Sequence, residues 1–287
     1  MQTRTNQSGM TFWGLLVVAA IFIFFVVLFF KLLPPYMEYA KVKTSLENIA
    51  KQPDAGNMEK AQVRAALVVF DRVVATQPDF RKYWLLHTLE EPRLESASAT
   101  ADCTQHGARG RLNLDVLLPP ASNAVLAKVG GPGKEYWVFG TNYANDPDPT
   151  RVTRSSMETA AWRLELSPKS ASAEDRFLAV MQVTDRTEPA RWPVRHLDAG
   201  GHVGCVLDGP DGAWIVLFNR DNVRSENTVE FALAGPKRTR VLVAGLVPGP
   251  WQARCAGSSE THHIDVAEDT GAAWFEASAG TWTLSKP

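Results

Sequence analysis

Apolar and polar positions along this chain follow three different patterns in turn. Residues 12–30 read FWGLLVVAAIFIFFVVLFF, nineteen positions without a charge. As a helix rising about 1.5 Å per residue, the run is about 28 Å long, close to the roughly 30 Å hydrocarbon core of a bilayer. Trp13 stands at one end and Lys31 and Tyr36 at the other, where interfacial aromatics and snorkelling lysines belong. The run is long for a signal peptide, and KLLPPYMEYAKV offers no small-x-small cleavage site. It predicts one transmembrane helix over residues 12–33, behind a short tail at 1–11. After Pro34 and Pro35 the period turns helical, with Tyr39, Val42, Leu46 and Ile49 at spacings of three and four and charges opposite. A juxtamembrane stalk is expected over 34–65, broken near Pro53 and resumed as a short helix capped by Asn57.

From residue 66 the pattern changes to strands. AALVVFDRVVAT, KYWLLHTL, RLNLDVLL, KEYWVFG, AWRLELS, DRFLAVMQVT, AWIVLFNR, TVEFALA and RVLVAGL are short runs rich in Val, Leu, Phe and Trp. Turn residues separate them, as at Gly130, Gly131, Pro132 and Gly133, or at Pro248, Gly249 and Pro250. With no long helix between them, they predict a mainly β domain at 66–287, an antiparallel β-sandwich rather than βαβ units. Runs such as residues 214–218 are apolar at every position, which predicts strands covered on both faces in a large two-sheet stack.

Charge changes little in this picture. Thirty Lys+Arg against 31 Asp+Glu give no bulk attraction to nucleic acid. Arg4 precedes the apolar run while Lys31, Lys41 and Lys43 follow it, which by a small margin would keep the large domain cytoplasmic. Cys103, Cys205 and Cys255 are too few for a disulfide framework, and their spacing is not that of a zinc site.

Candidate chemistry is sparse. Residues 130–135 look like a phosphate loop, but the G-x-x-x-x-G-K-[ST] spacing is absent, and a turn is expected. His87, His106, His196, His202, His262 and His263 form no H-x-H or H-E-x-x-H pair, so neither metal nor cofactor is indicated. His87, in the run WLLHT, is expected to be a buried, hydrogen-bonded strand histidine, and His262 and His263 to be exposed at a strand edge. Asn145, Asp146 and Asp148 lack the calcium-loop ligand ladder and read as an acidic, proline-stiffened loop. Tryptophans on a sandwich can stack on sugar rings, but most stand in dense apolar strands and core packing is expected for each.

Residues 7–64 resemble a proteobacterial family of small single-pass inner-membrane proteins of unknown function. The likeness is carried by Gln7, Ser8, Gly9, Met10 and Thr11 before the apolar run, by KLLPPYMEYAKVKTSLENIAKQP, and by Gly56, Asn57 and Met58. The opening also looks like a type IV pilin leader with Gly9 at the cleavage position, although Gly14 stands where a pilin has glutamate. That departure argues against a pilin-like assembly subunit.

Residues 66–287 resemble the C-terminal β-sandwich of heparinase II/III-type polysaccharide lyases, through VVFDRVVATQPDFRKYWLLHTLEEP, GRLNLDVLLPP, KVGGPGKEYWVFGTNY, WRLELSPKSASAEDRFLAVMQVTD, AWIVLFNR and VAGLVPGPWQA. Such lyases abstract a proton beside a uronate carboxylate and eliminate across the glycosidic bond. Their acid–base groups lie mainly in an N-terminal toroid and their metal motif in the early sandwich, neither of which has a counterpart here. The resemblance begins in mid-sandwich, so an exposed sheet edge with apolar surface is expected near residue 66.

The expectation is therefore a non-catalytic, membrane-anchored sandwich in a bacterial inner membrane, its large domain periplasmic. Its expected partners are the lipid bilayer, polysaccharide and other envelope proteins. A lyase reading, with a toroid supplied by another chain, leaves His87 and Tyr136 as the catalytic candidates.

Overall fold

The computed structural model describes residues 65–104, 109–134, 136–143, 162–187, 191–210, 212–235 and 238–287. All belong to one unit of the chain, Val63–Pro287. The expected tail, transmembrane helix and stalk lie outside the described residues, apart from Ala65, and so does the acidic loop at 145–149.

Alternation of apolar and polar side chains builds four sheets of three or more strands among the described residues. Sheet I is β2 (Trp84–Thr88), β9 (Trp162–Pro168) and β6 (Ala124–Gly130), in that order. Sheet II runs β1 (Ala65–Val74), β10 (Glu174–Asp185), β5 (Gly110–Leu118), β4 (Ser98–Cys103) and β3 (Arg93–Leu94). Sheet III runs β11 (Val194–Ala199), β12 (His202–Gly209), β13 (Gly212–Asn219), β15 (Thr239–Ala244) and β18 (Ala272–Ala277). Sheet IV runs β14 (Val229–Leu233), β19 (Gly280–Ser285), β16 (Gly249–Cys255) and β17 (Thr261–Val266).

Three apolar clusters stack these sheets in the order I, II, III, IV. Leu114, Leu164, Leu166 and Phe177 close the first interface. Val180, Cys205 and Leu207, with Val68, Trp192 and Trp214 against them, close the second. The third is the largest, with Ile215, Leu217, Phe231, Val241, Trp251, Phe275 and Trp282. The uninterrupted apolar strands are explained by the two inner sheets. In β10, Phe177, Ala179 and Met181 face sheet I while Val180 faces sheet III. Two stacked sandwiches, rather than a single pair of sheets, account for the pattern.

The expected antiparallel sheets are present with one exception, and one expected strand is corrected. The pairing of β13 with β15 is parallel, because β14 carries the chain across to sheet IV before it returns. The other pairings between these strands are antiparallel. The run KEYWVFG supplies only β7 (Trp137–Val138), which turns at once into β8 (Thr141–Asn142). Phe139 and Gly140 form that two-residue turn, both with positive φ (45° and 91°), as a tight hairpin requires. The glycine-rich segment before it is a turn too, closed by the Lys134 N–H donating to the Gly131 carbonyl at 2.9 Å.

β1 stands at one edge of sheet II, paired along its whole length with β10 alone among the described residues. Leu67 is 58% exposed, and Val73 and Val74 are exposed as well. Near the same edge, Lys82 and Asp175 form an ion pair at 2.8 Å with little exposure of either side chain. The Lys82 ammonium also donates to the Ser172 carbonyl. This buried ion pair, with the hydrogen bond to Ser172, ties the loop after β1 to the start of β10.

Candidate functional site

Sheets II and III overlap only in part. β1, the last strand of sheet II, lies over β13: Phe70 stacks on Phe218 with ring centroids 5.3 Å apart and planes 18° apart. Beside them an Arg72 guanidinium N–H donates to the Asn219 carbonyl at 3.3 Å. Sheet III continues past this step with β15 and β18.

The alternation of β15 and β18 then decides what the step displays. Val241, Val243, Ala273, Phe275 and Ala277 point into the core shared with sheet IV. Arg240, Leu242, Ala244, Ala272, Trp274 and Glu276 take the opposite face and are half-buried or exposed. Register sets Trp214 beside Arg240 and Phe218 beside Ala244 across β13 and β15. Across β15 and β18 it sets Leu242 beside Trp274.

The result is an aromatic platform with a cation on it. Trp214 and Trp274 have ring centroids 5.4 Å apart at 45°, and Trp274 is 48% exposed. The Arg240 guanidinium lies 4.9 Å from the Trp214 ring centroid, within cation–π range. Arg238 reaches Glu276 at 3.4 Å along the platform's rim. Arg240 makes no ion pair among the described residues.

At the other end of the step is a cleft of 260 Å³, lined by Phe70, Arg72, Phe218, Asn219, Arg224 and Ala244, among others. Asn219 holds its wall, donating to the Val223 carbonyl at 2.6 Å and the Gly245 carbonyl at 3.3 Å. Gly245 is needed there: its φ is +83°, and a Cβ would fall 2.5 Å from that of Asn219. Arg72, like Arg240, has no carboxylate partner among the described residues.

Aromatic faces of this kind can stack on the apolar face of a sugar ring, and an unpaired guanidinium can bind a carboxylate or sulfate in a fork. Nucleophile chemistry has less to work with. Burial pushes the Cys205 thiol up to about 12, which leaves it inert. His202 is 1% exposed, with no hydrogen-bond partner for Nε2, and burial drives its imidazole down to about 4, against the Ala244 carbonyl and Asp221. It has the strand parity of Val206, which packs in the III–IV core, so it faces away from the platform. Burial raises Asp115 against the opposing pull of Arg191, 3.2 Å away. Asp102, gripped by the Arg111 fork at 2.7 and 3.1 Å and by Arg93, is held down at about 2.

The candidates read from the sequence lie elsewhere. His87 is exposed, against expectation, because β2 is an edge strand whose alternation sends Trp84, Leu86 and Thr88 inward and Leu85 and His87 outward. Tyr136 is half-buried before β7, its backbone N–H donating to Asn142 Oδ1 at 2.9 Å. No hydrogen bond, ion pair or ring contact among the described residues joins these two to each other or to the platform. His263 is exposed on the edge strand β17, while His262 is half-buried between Phe275 and Trp282, each 5.5 Å away, and meets Glu260 at 3.3 Å. No motif marks the platform residues in the sequence, yet one signal is present. Trp274 and Phe275 are adjacent in a strand and must point to opposite faces.

The family model described as the Heparinase II C-terminal domain matches residues 196–286. No curated protein matches the chain. The matched span takes in β12 to β19 and most of β11, that is, sheets III and IV with the platform. Residues 66–195, for which the same resemblance is expected, lie outside it. The C-terminal pair of sheets is thus similar to the C-terminal domain of heparinase II.

Proposed function

We propose that this chain is a non-catalytic, membrane-anchored β-sandwich protein of the periplasm that contacts polysaccharide through the platform of Trp214, Trp274 and Arg240. The observation that carries the reading is a half-exposed tryptophan, paired with a second and with an unpaired arginine, on a sheet face that its neighbour leaves open. A strand this rich in core residues has no packing reason to display an indole outward, since exposed aromatic surface of that size forgoes about 1.5–3 kcal/mol of burial. The likeness to a polysaccharide-lyase domain supports a sugar as the ligand. The uncharged run at 12–30 supports the anchor.

Absence of lyase chemistry is part of the proposal. Proton abstraction from a uronate needs a base in reach of the α-proton and a group to stabilise the developing charge. The platform offers Arg238, Arg240 and Glu276, with neither tyrosine nor histidine beside them among the described residues.

The test uses the full chain in detergent, electrophoresed through gels containing linear polysaccharides. Retardation is expected for the native chain and its loss for Trp274→Ala. Equal mobility with and without every polysaccharide would defeat the reading. Release of an unsaturated, ultraviolet-absorbing product by the purified chain would defeat its non-catalytic part.

A further inference from the structure

The two ends of the step carry the same kind of group, and this bears on what lies between them. Arg240 begins the step beside Trp214, and Ala244, four residues further along β15, ends it beside Phe218, Asn219 and Arg72. At about 3.3 Å per residue, those ends are about 13 Å apart. Between them the floor is apolar, made of Leu242 and the rings of Trp214 and Trp274, while β1 forms one wall.

We infer that this step is a lengthwise groove for a linear, carboxylate-bearing polysaccharide, with one acidic sugar held at Arg240 and another at Arg72. The inference rests on the proposed contact with polysaccharide and adds the ligand's charge, its direction along β15 and a second subsite. Three observations converge on it. Neither arginine makes an ion pair among the described residues: Glu276, opposite Arg240 in register, is engaged by Arg238, and Asp221 shares the cleft with Arg72 without pairing to it. Each is already held against an aromatic ring, Arg240 at 4.9 Å from Trp214 and Arg72 at 5.9 Å from Phe70, which lowers the entropy lost when it binds an anion. And the span exceeds what one sugar with one exocyclic carboxylate reaches, so both sites fill only when a chain runs along the groove.

β1 makes the groove one-sided. Its outer edge has no strand partner among the described residues, so its free backbone N–H and C=O groups face the space above β15. Sugar hydroxyls, which both donate and accept, match such an edge. A second copy of this chain does not. Antiparallel pairing of β1 with its own copy needs a two-fold axis normal to the sheet, which would drive each copy's β15 and β18 into the other's.

The experiment is a titration of the full chain in detergent, at low salt, with three ligands. These are a uronate disaccharide, a hexasaccharide of the same polymer, and that hexasaccharide with its carboxylates reduced to alcohols. The native chain should bind the acidic hexasaccharide at least about tenfold more tightly than the reduced one, the loss expected for a charge-assisted hydrogen bond. Arg240→Gln should weaken the disaccharide and hexasaccharide alike. Arg72→Gln should weaken the hexasaccharide by about tenfold and leave the disaccharide unchanged. Circular dichroism on both variants checks that the fold is kept.

Equal binding of reduced and acidic hexasaccharides would overturn the charge assignment while leaving sugar stacking intact. An Arg72→Gln variant that bound the hexasaccharide normally would overturn the second subsite. No binding of any of the three ligands would remove the polysaccharide reading on which the inference stands.

Discussion

The two stacked sandwiches bury different things. Between sheets III and IV, Trp251 and Trp282 are 1% and 0% exposed, and each indole N–H donates at 2.9 Å to the carbonyl four residues before it. Between sheets I and II the buried groups are Phe177 and smaller aliphatic side chains, among them Leu114, Leu164, Leu166, Val116 and Met181. At the margin of this sandwich a charged pair is sunk, Lys82 with Asp175, whereas Asn113 with Thr184 and Gln182 bracketed by the backbone of Trp192 lie on the other face of sheet II, beside Val180 and towards sheet III. One sandwich is held by large rings whose polar atoms are satisfied locally. The other adds to its aliphatic core one buried ion pair between segments distant in sequence. The first should be sensitive to lost volume, the second to lost partners. The open face of β15 and β18 belongs to neither core, and its residues should matter for binding and hardly at all for stability.

Substitutions can break or sharpen this contrast. The largest effect is expected from Trp282→Ala, which removes a fully buried ring and should cost about 3–5 kcal/mol in chemical unfolding. Lys82→Ala comes next, at about 3 kcal/mol, because it strands the Asp175 carboxylate with its ion pair gone. The margin of sheets I and II should loosen first, read as faster amide exchange in β1 and β10 than in β16 and β19.

His202 should make the third sandwich interface sensitive to acid. Its folded value, about 4, lies below its ordinary 6.5, so the unfolded chain takes up the proton first as the pH falls. Stability is complete above pH 6.5, declines as the pH drops towards 4, and by then has lost up to about 3 kcal/mol. Unfolding midpoints measured from pH 7 to pH 4 should show this slope, and His202→Gln should flatten it. An unchanged slope in the variant would assign the acid sensitivity to other groups. The smallest stability effect is expected for Trp274→Ala, within about 0.5 kcal/mol of native, as for a surface position outside the core.

How much of this was legible in the sequence depended on whether a feature is local. β1 and β13 were readable because nearly every position is apolar, and β10 because of its continuous apolar run from Phe177 to Met181. β12 was not, since HVGCVLDG dilutes its strand signal with glycines and a histidine although all but its last two residues are buried. β4, reading SATADC, shows its alternation only in alanines too small to stand out. The parallel pairing of β13 with β15 is a property of where β14 goes, and no periodicity records it.

The site divides in the same way. Core packing was the expectation for each tryptophan, and it holds for Trp251 and Trp282 and fails for Trp274. What separates them is the edge of sheet II, which among the described residues stops at β1 and leaves β18 uncovered. His87 looked buried because WLLHT is apolar around it, but β2 is an edge strand of an outer sheet. Arg72 and Arg240 are remote in sequence and carry no motif. Only the stacking of sheet II on sheet III brings both to one step.

The central claim is that β18 is divided between two tasks, with Phe275 and its inward neighbours serving the core and Trp274 serving a ligand. It is tested most directly by measuring, on one preparation of Trp274→Ala, both the unfolding midpoint and the retardation of the full chain in polysaccharide gels. A midpoint close to native together with lost retardation is expected. A midpoint lowered as far as that of Trp282→Ala, or retardation equal to native, would contradict it.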